Sequence, residues 1–363
     1  MTTPKIPLGL LGIPFGLAGL GEAWTALGSE RHAPVLVGQV MLLISAASWL
    51  AVLAAYASHL ITSPASPRTA FTDDLADPVA SPFAALALIA PILLASDGLF
   101  PRAATPGRVV TDVFIALTVL VGGWFIGQWM LGPVDLGRFH PGYFLPTVAG
   151  GLIASYGAAA VGQQRLAEVL FGFGVISWIV VGSLILGRLF FSPPLPPPLQ
   201  PTMAIMVAPA AVASLAWFAI HGERIDQVAA FLAGYGILMV IAQLRLLPAY
   251  RRLPFMPSTW AFTFSWAAVV TAATSWLQST QPTGYRVWQY VLVAAITAFI
   301  GGIAIRTVIA ISRRQFLPRP PITPPITPPI APSTAPESAS HASPSPVAVS
   351  QPVLTRRLDN ISH

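Results

Sequence analysis

The sequence predicts an all-α integral membrane protein in which ten transmembrane helices form five helical hairpins, placed quasi-fivefold around a central pore. Three observations lead there. Of 363 residues, 55% are hydrophobic and only 9% charged, against about a quarter charged in a soluble domain, so the charges cannot cover a globule in water. Apolar runs of the roughly 20 residues needed to cross a hydrocarbon core about 30 Å thick recur as far as residue 312. Helix-breaking residues, finally, fall in alternate runs.

The ten runs lie near residues 7–28, 34–61, 79–99, 109–131, 143–162, 166–190, 201–221, 227–249, 258–278 and 284–312. The first contains Pro14, Gly16, Gly19 and Gly21, the third Pro82 and Pro91, the fifth Pro146, Gly150 and Gly151, and the seventh Pro209; the even-numbered runs are read as having glycine but no internal proline. A proline inside a helix removes a backbone hydrogen bond and clashes with the preceding turn, and lipid offers the freed carbonyl no water. The odd runs therefore belong inside, and the even runs, rich in Leu, Ile, Val and Trp, can face lipid. Pro14, Pro91, Pro146, Pro209 and Phe264 recur at intervals of 55 to 77 residues, about one hairpin each, so the hairpin is the repeated unit. Five hairpins with inner and outer members point to a ring; the competing arrangement is a solid bundle kinked at the same prolines.

The ninth run, STWAFTFSWAAVVTAATSWLQ, mixes hydroxyls at Ser258, Thr259, Thr263, Ser265, Thr271, Thr274 and Ser275 with Phe262 and Phe264. That mixture suits a helix facing something other than lipid, and a pore-lining reading puts Phe264 in the permeation path; an aromatic that merely packs is the alternative. Candidates for the pore wall are Pro14, Gly16, Gly19, Glu22, Pro91, Pro146, Thr147, Pro209, Phe262, Thr263 and Ser265.

Ionisable residues within the runs are few, and such residues are functional candidates by default. Asp97, Asp112 and His59 fall near run ends, where solvated, capping or interfacial roles are expected, whereas Glu22 lies two turns beyond Pro14 on an inner run. No carboxylate relay, zinc site, phosphate loop or nucleophile signature occurs, so neither an enzyme nor a cofactor or metal is expected. There is no cysteine. The net charge of +6 is spread over many loops, which argues against nucleic acid as a partner. Assigned to the nearest connection, 13 Lys and Arg fall on the side of the termini and 6 on the other, so both termini are expected to be cytoplasmic. Residues 1–312 are expected to form one transmembrane domain. Residues 313–363 change abruptly to a Pro-rich composition expected to be extended or disordered.

Five stretches, PGYFLPTVAGG at 141–151, VLFGFGVISW at 169–178, APAAVASLAW at 208–217, AGYGILMVIAQLRLLP at 233–248 and STWAFTFSW at 258–266, resemble the tellurite-resistance/dicarboxylate transporter family, in that family's order. The resemblance covers roughly residues 7–312. It implies ten helices with fivefold quasi-symmetry around a pore, a homotrimer with one pore per protomer, and an aromatic gate on the ninth helix at the position of Phe264. The sequence departs from the family's plant members at Ser265, where they carry proline, which leaves the kink of the ninth helix open.

Without a fixed base in the pore, helix ends and hydroxyls would supply the selectivity. The resulting expectation is a passive, voltage-independent anion channel of a bacterial inner membrane, with small inorganic or carboxylate anions and the lipid bilayer as its partners. The rivals are a C4-dicarboxylate carrier or tellurite or sulfite exporter, and a membrane scaffold acting through the Pro-rich tail.

Overall fold

In a computed structural model, which describes residues 6–29, 34–132, 135–222 and 224–317, the described chain is helical and contains no strand. The Pro-rich tail beyond Leu317, and with it most of the expected second region, lies outside the described residues, as do Lys5 and Arg31. Eight helices are long and apolar enough to cross a membrane: Leu8–Gly28, Val35–Thr62, Ser81–Leu99, Ala104–Leu131, Gln164–Phe191, Gln200–His221, Gln227–Tyr250 and Tyr285–Ser312. Two further helical segments, 141–160 and 257–280, complete the order.

The regular helices are α1 (Gly12–Ser29), α2 (Val35–Thr62), α3 (Pro67–Ala76), α4 (Leu86–Leu93), α5 (Ala104–Leu131), α6 (Gly150–Ala160), α7 (Gln164–Phe191), α8 (Ala208–His221), α9 (Gln227–Tyr250), α10 (Ala261–Thr280) and α11 (Tyr285–Ser312). Helices α2, α5, α7, α9 and α11 are unbroken. Helices α1, α4, α6, α8 and α10 are each entered through a 3-10 turn, at Leu8–Leu11, Ser81–Ala85, Pro141–Phe144, Gln200–Val207 and Pro257–Trp260. A π turn, Leu94–Leu99, follows α4, and another, Leu145–Ala149, precedes α6.

The broken helices are the buried ones. Within the most apolar stretches of Leu8–Gly28, Ser81–Leu99 and Gln200–His221, 72%, 56% and 78% is buried, against 11% to 28% in the five unbroken spans. Helix α1 packs on α10, α10 on α8, α8 on α6, α6 on α4, and α4 on α1, so the contacts return to their start. The unbroken helices lie outside this set, each against its hairpin partner.

Proline sets this division because each freed carbonyl has to find a donor. Pro91 in α4 cannot bond back to the carbonyl of Ala87, and the indole N–H of Trp49 on α2 donates to it at 3.0 Å. Pro209 leaves the carbonyl of Ile205, which accepts instead from the N–H of Ala208. Pro146 leaves the carbonyl of Gly142, which accepts from the N–H of Leu145. Tight 3-10 bonding thus closes two of the gaps within the segment.

Three elements differ from the sequence expectation. α9 runs through Pro248 to Tyr250, so this outer helix carries a proline in its last turn. α5 starts at Ala104, ahead of the expected 109, because Pro106 falls in the first turn, where its missing N–H has no partner to lose. α3 was not expected at all: Ser66 caps it by accepting from the N–H of Thr69, Pro67 starts it, and Tyr56 on α2 donates to Asp74 at 3.0 Å.

Replacing Trp49 by Phe keeps an aromatic against Phe114 but leaves the Ala87 carbonyl without its side-chain donor. The expected cost is about 1–3 kcal/mol, read as a lowered thermal midpoint in detergent; a midpoint unchanged from the parent protein would contradict this account of the inner helix.

Candidate functional site

Two cavities lie on either side of one aromatic ring. The first, about 50 Å³, is lined from the N-terminal ends of all five broken segments, by residues such as Gly12, Phe83, Phe144, Pro209 and Ser258. The second, about 10 Å³, lies further along the same segments and is lined by Glu22, Leu93, Ile153, Tyr156, Val212, Leu215 and Phe264. Phe264 and Val212 belong to both walls. Phe264 stacks on Phe15 of α1, with ring centroids 3.7 Å apart and planes 19° from parallel, and both rings are buried.

Local sequence explains why the ring lies there. Gly19 lacks a Cβ that would otherwise approach the Phe264 ring to 2.9 Å, and Gly16 likewise makes room for Thr263 and Trp260. Small residues at these two positions let α1 and α10 approach closely, as interfaces between membrane helices require. The indole N–H of Trp260 donates to the hydroxyl of Thr307 at 2.9 Å and that of Trp24 to Thr297 at 2.9 Å, fixing α10 and α1 against α11.

Of the residues singled out from the sequence, Pro209, Phe264 and Ser265 line the first cavity, and Glu22 and Phe264 the second. The others lie elsewhere. Gly16, Gly19 and Thr263 form the contact between α1 and α10. Pro14 is buried, and its carbonyl accepts from Ser45 of α2 at 2.7 Å. Pro91 is buried within α4, and the Pro146 carbonyl faces Gly122 of α5. Thr147 is fully buried with an unpartnered hydroxyl, off both walls. Phe262 points away from the cavities and meets Tyr250 of α9 edge-on, centroids 4.8 Å apart, since residues two apart on a helix face opposite ways.

Nor do most of the hydroxyls face the cavities. Thr263, Ser265, Thr271, Thr274 and Ser214 donate to carbonyls three or four residues back in their own helices, at 2.7 to 3.0 Å. Ser258 is the exception on the first wall, with a buried hydroxyl oxygen that has no hydrogen-bond partner.

Three contributors escaped the sequence reading. Phe15 follows Pro14 directly, and an aromatic beside a breaker on an inner run was the available signal. Tyr156 is a lone phenol among small residues in α6, and its hydroxyl donates to Asp97 at 3.2 Å. Asp97 was expected to be solvated or capping, but it sits in the π turn after α4 with one buried carboxylate oxygen unpartnered.

The family model described as SLAC1, voltage-dependent anion channel, matches residues 5–308. The chain belongs to this family. Membership implies anion transport or channel function and makes the chain a multi-span membrane protein. Among similar proteins, the tellurite resistance protein TehA homolog of Haemophilus influenzae is 29% identical over 324 residues, covering 86% of this chain and 92% of that protein. The guard cell S-type anion channel SLAC1 of Arabidopsis thaliana is 26% identical over 120 residues, 32% of this chain and 21% of that protein.

Within the SLAC1-family framework, His140 anchors the start of segment 141–160, from which Phe144 and Leu145 reach the first cavity. Its Nδ1 accepts from the N–H of Gly142 at 3.1 Å, so the neutral ring carries its proton on Nε2, which donates to the Val79 carbonyl at 3.2 Å. Burial pushes the imidazole down from 6.5 to about 4, against the opposing pull of the Val79 carbonyl. The unfolded chain takes up this proton below about 6.5 and the folded chain only below about 4. The stability associated with the neutral ring is therefore complete above pH 6.5 and is lost as the pH falls through that window, by about 3 kcal/mol. His140→Gln should reduce the drop in thermal midpoint between those pH values; an unchanged drop would show that the ring does not contribute to it.

Proposed function

We propose that the chain is a passive channel for small monovalent anions such as chloride or nitrate, closed by Phe264. On this reading ten helices cross the membrane as five hairpins in quasi-fivefold order, and the pore runs between the inner five. The observation that carries it is the Phe264 ring itself, shared by two cavities whose walls together draw on all five broken segments.

Several features support anion passage. The five inner segments run in the same direction, so their N-terminal ends surround the first cavity and direct partial positive charge toward it. Among the described residues no Lys or Arg lines either cavity, so an anion attracted there would also be free to leave. The space of about 50 Å³ has room for roughly three or four water-sized groups, which suits a small ion with little of its hydration shell. The 13 to 6 distribution of Lys and Arg supports cytoplasmic termini; a bacterial inner-membrane location and a homotrimer with one pore per protomer complete the proposal. Ionisable side chains in the spans are few and no repeated basic row occurs, which supports weak voltage dependence.

Removing the ring tests the closure. Phe264→Ala should raise anion current in planar bilayers by roughly tenfold or more. Phe15→Ala should give a smaller increase, because Phe264 keeps its place on α10. Unchanged conductance in folded Phe264→Ala protein across the range from about pH 8 to about pH 5 would sink the gate.

A carrier, such as an exporter of tellurite, is the second reading, in keeping with the tellurite-resistance name of the Haemophilus relative and with Glu22 on the second wall. Flux into proteoliposomes separates the two: a channel follows the electrochemical potential of the anion, whereas saturation together with dependence on the proton gradient would establish a carrier. Deleting residues 317–363 should leave that flux intact; loss of signalling in a protein that shows no flux at all would support the scaffold.

A further inference from the structure

Behind the Phe264 ring the structure holds two acids where an anion path has least use for them. Glu22 on α1 is 4% exposed and lines the second cavity. Among the described residues it forms no hydrogen bond or ion pair, so it stands on that wall without a counter-charge. Asp97, from the π turn after α4, is bonded to Tyr156, which lines the same cavity as Glu22. One Asp97 oxygen accepts from Tyr156 at 3.2 Å and Ser96 at 3.3 Å, and the other is buried with no partner.

Among the described residues no cation is paired with either acid. Around α1, helices α2 and α10 present apolar and hydroxyl-bearing side chains, including Leu42, Ser45, Phe264 and Ala267. α11 presents Thr297 to Trp24, while its Arg286 and Arg306 lie against Tyr285 and Phe255. Tyr156 is the remaining titratable group on the cavity wall. Arg102 and Arg108, on either side of the start of α5, donate to the carbonyls of Gly98 and Val161. Asp112 of α5 is held by Gln163 at 3.0 Å.

We propose that Glu22 and Asp97 form a proton-binding site directly behind the gate, and that an anion passes only while the pair holds a proton. Glu22 lines a space of about 10 Å³ and Asp97 is held by Tyr156 of the same wall, so two charges there repel each other with little water to dissipate them. A shared proton relieves that repulsion, as it does wherever two acids meet in a dry site. The same proton determines what an arriving anion meets. With both acids ionised, the space beyond Phe264 repels an anion; with a proton between them, it offers an O–H donor. The ligand is thus the proton, and the passing species it favours is an anion that can accept a hydrogen bond from a carboxylic acid.

The inference rests on the anion-channel reading, and the test separates the two. The full chain with Phe264→Ala is reconstituted in planar bilayers, and chloride current is measured from about pH 8 to about pH 5. Current should rise at least about tenfold as the pH falls. Adding Glu22→Gln should hold the current near its acidic level across the range, and Asp97→Asn should flatten the profile in the same direction. Current that is flat with pH in the Phe264→Ala protein, or a Glu22→Gln protein that keeps the full pH slope, overturns the proton site while leaving the channel intact. Absence of anion current in every folded variant overturns both. The parent pH profile decides the matter even where Glu22→Gln fails to fold, because it needs no change at the pair.

Discussion

The structure depends on satisfying backbone carbonyls where there is no water to do so. Each inner proline deletes a donor, and in hydrocarbon an unsatisfied carbonyl costs several kcal/mol. The chain answers in two ways. At Pro146 and Pro209 the segment tightens into 3-10 geometry and bonds internally, while at Pro91 an outer helix lends the indole N–H of Trp49. Either answer keeps the broken helices covered, and the second also ties an inner helix to its outer partner. Straight helices, whose backbone bonds are complete, are left to face lipid. The inner and outer layers follow from hydrogen bonding before any side-chain packing is considered.

Breaking the inner helices also shapes the space between them. A 3-10 or π turn changes the rotation per residue, so side chains near these turns leave the regular helical register. Large rings such as Phe83, Phe144 and Phe264 reach one cavity from three of these segments. The wall is largely apolar, and the hydroxyl of Ser265 on it is spent on the carbonyl of Ala261 in its own helix. An anion in such a space has little to replace lost hydration apart from backbone dipoles and the unpartnered hydroxyl of Ser258. Phe264, stacked on Phe15, stands between that space and the second cavity.

How much of this was legible follows from what each signal encodes. Proline reports a backbone defect directly, so alternation between Pro14, Pro91, Pro146 and Pro209 separated the buried helices from the exposed ones. Phe264 was legible from its setting among hydroxyls and from a family resemblance. The hydroxyls themselves misled. Whether Thr263 or Thr271 faces a cavity or bonds back to its own helix depends on one rotamer, and both choices leave the same letters in the sequence. Phe262 went wrong for a different reason: once Phe264 is set toward the axis, helical rotation carries a residue two positions away to the other side. Asp97 looked peripheral because distance along the chain was taken as depth, whereas Tyr156 of α6 bonds it from a cavity wall. Helix α3 was readable from Ser66, Pro67 and Thr69 as a capped start, but it is too short and too polar to register among spans.

The two sides of the ring are electrically unlike. Because the inner segments run in one direction, their positive ends gather at the first cavity, and the second lies toward their negative ends. Glu22 and Asp97 add to that polarity on the negative side, where a proton between them removes part of it. On the channel reading, an anion entering from the first cavity descends into favourable potential and then climbs past Phe264; one entering from the other side climbs first. The acids therefore act on the barrier that the ring creates and not on the attraction at the far mouth. A proton behind the ring lowers the electrostatic part of that barrier, and movement of the ring lowers the steric part. Opening to anions requires both, because a vacated ring position still leads to two uncompensated carboxylates, and a protonated pair still lies behind a stack with 3.7 Å between its centroids.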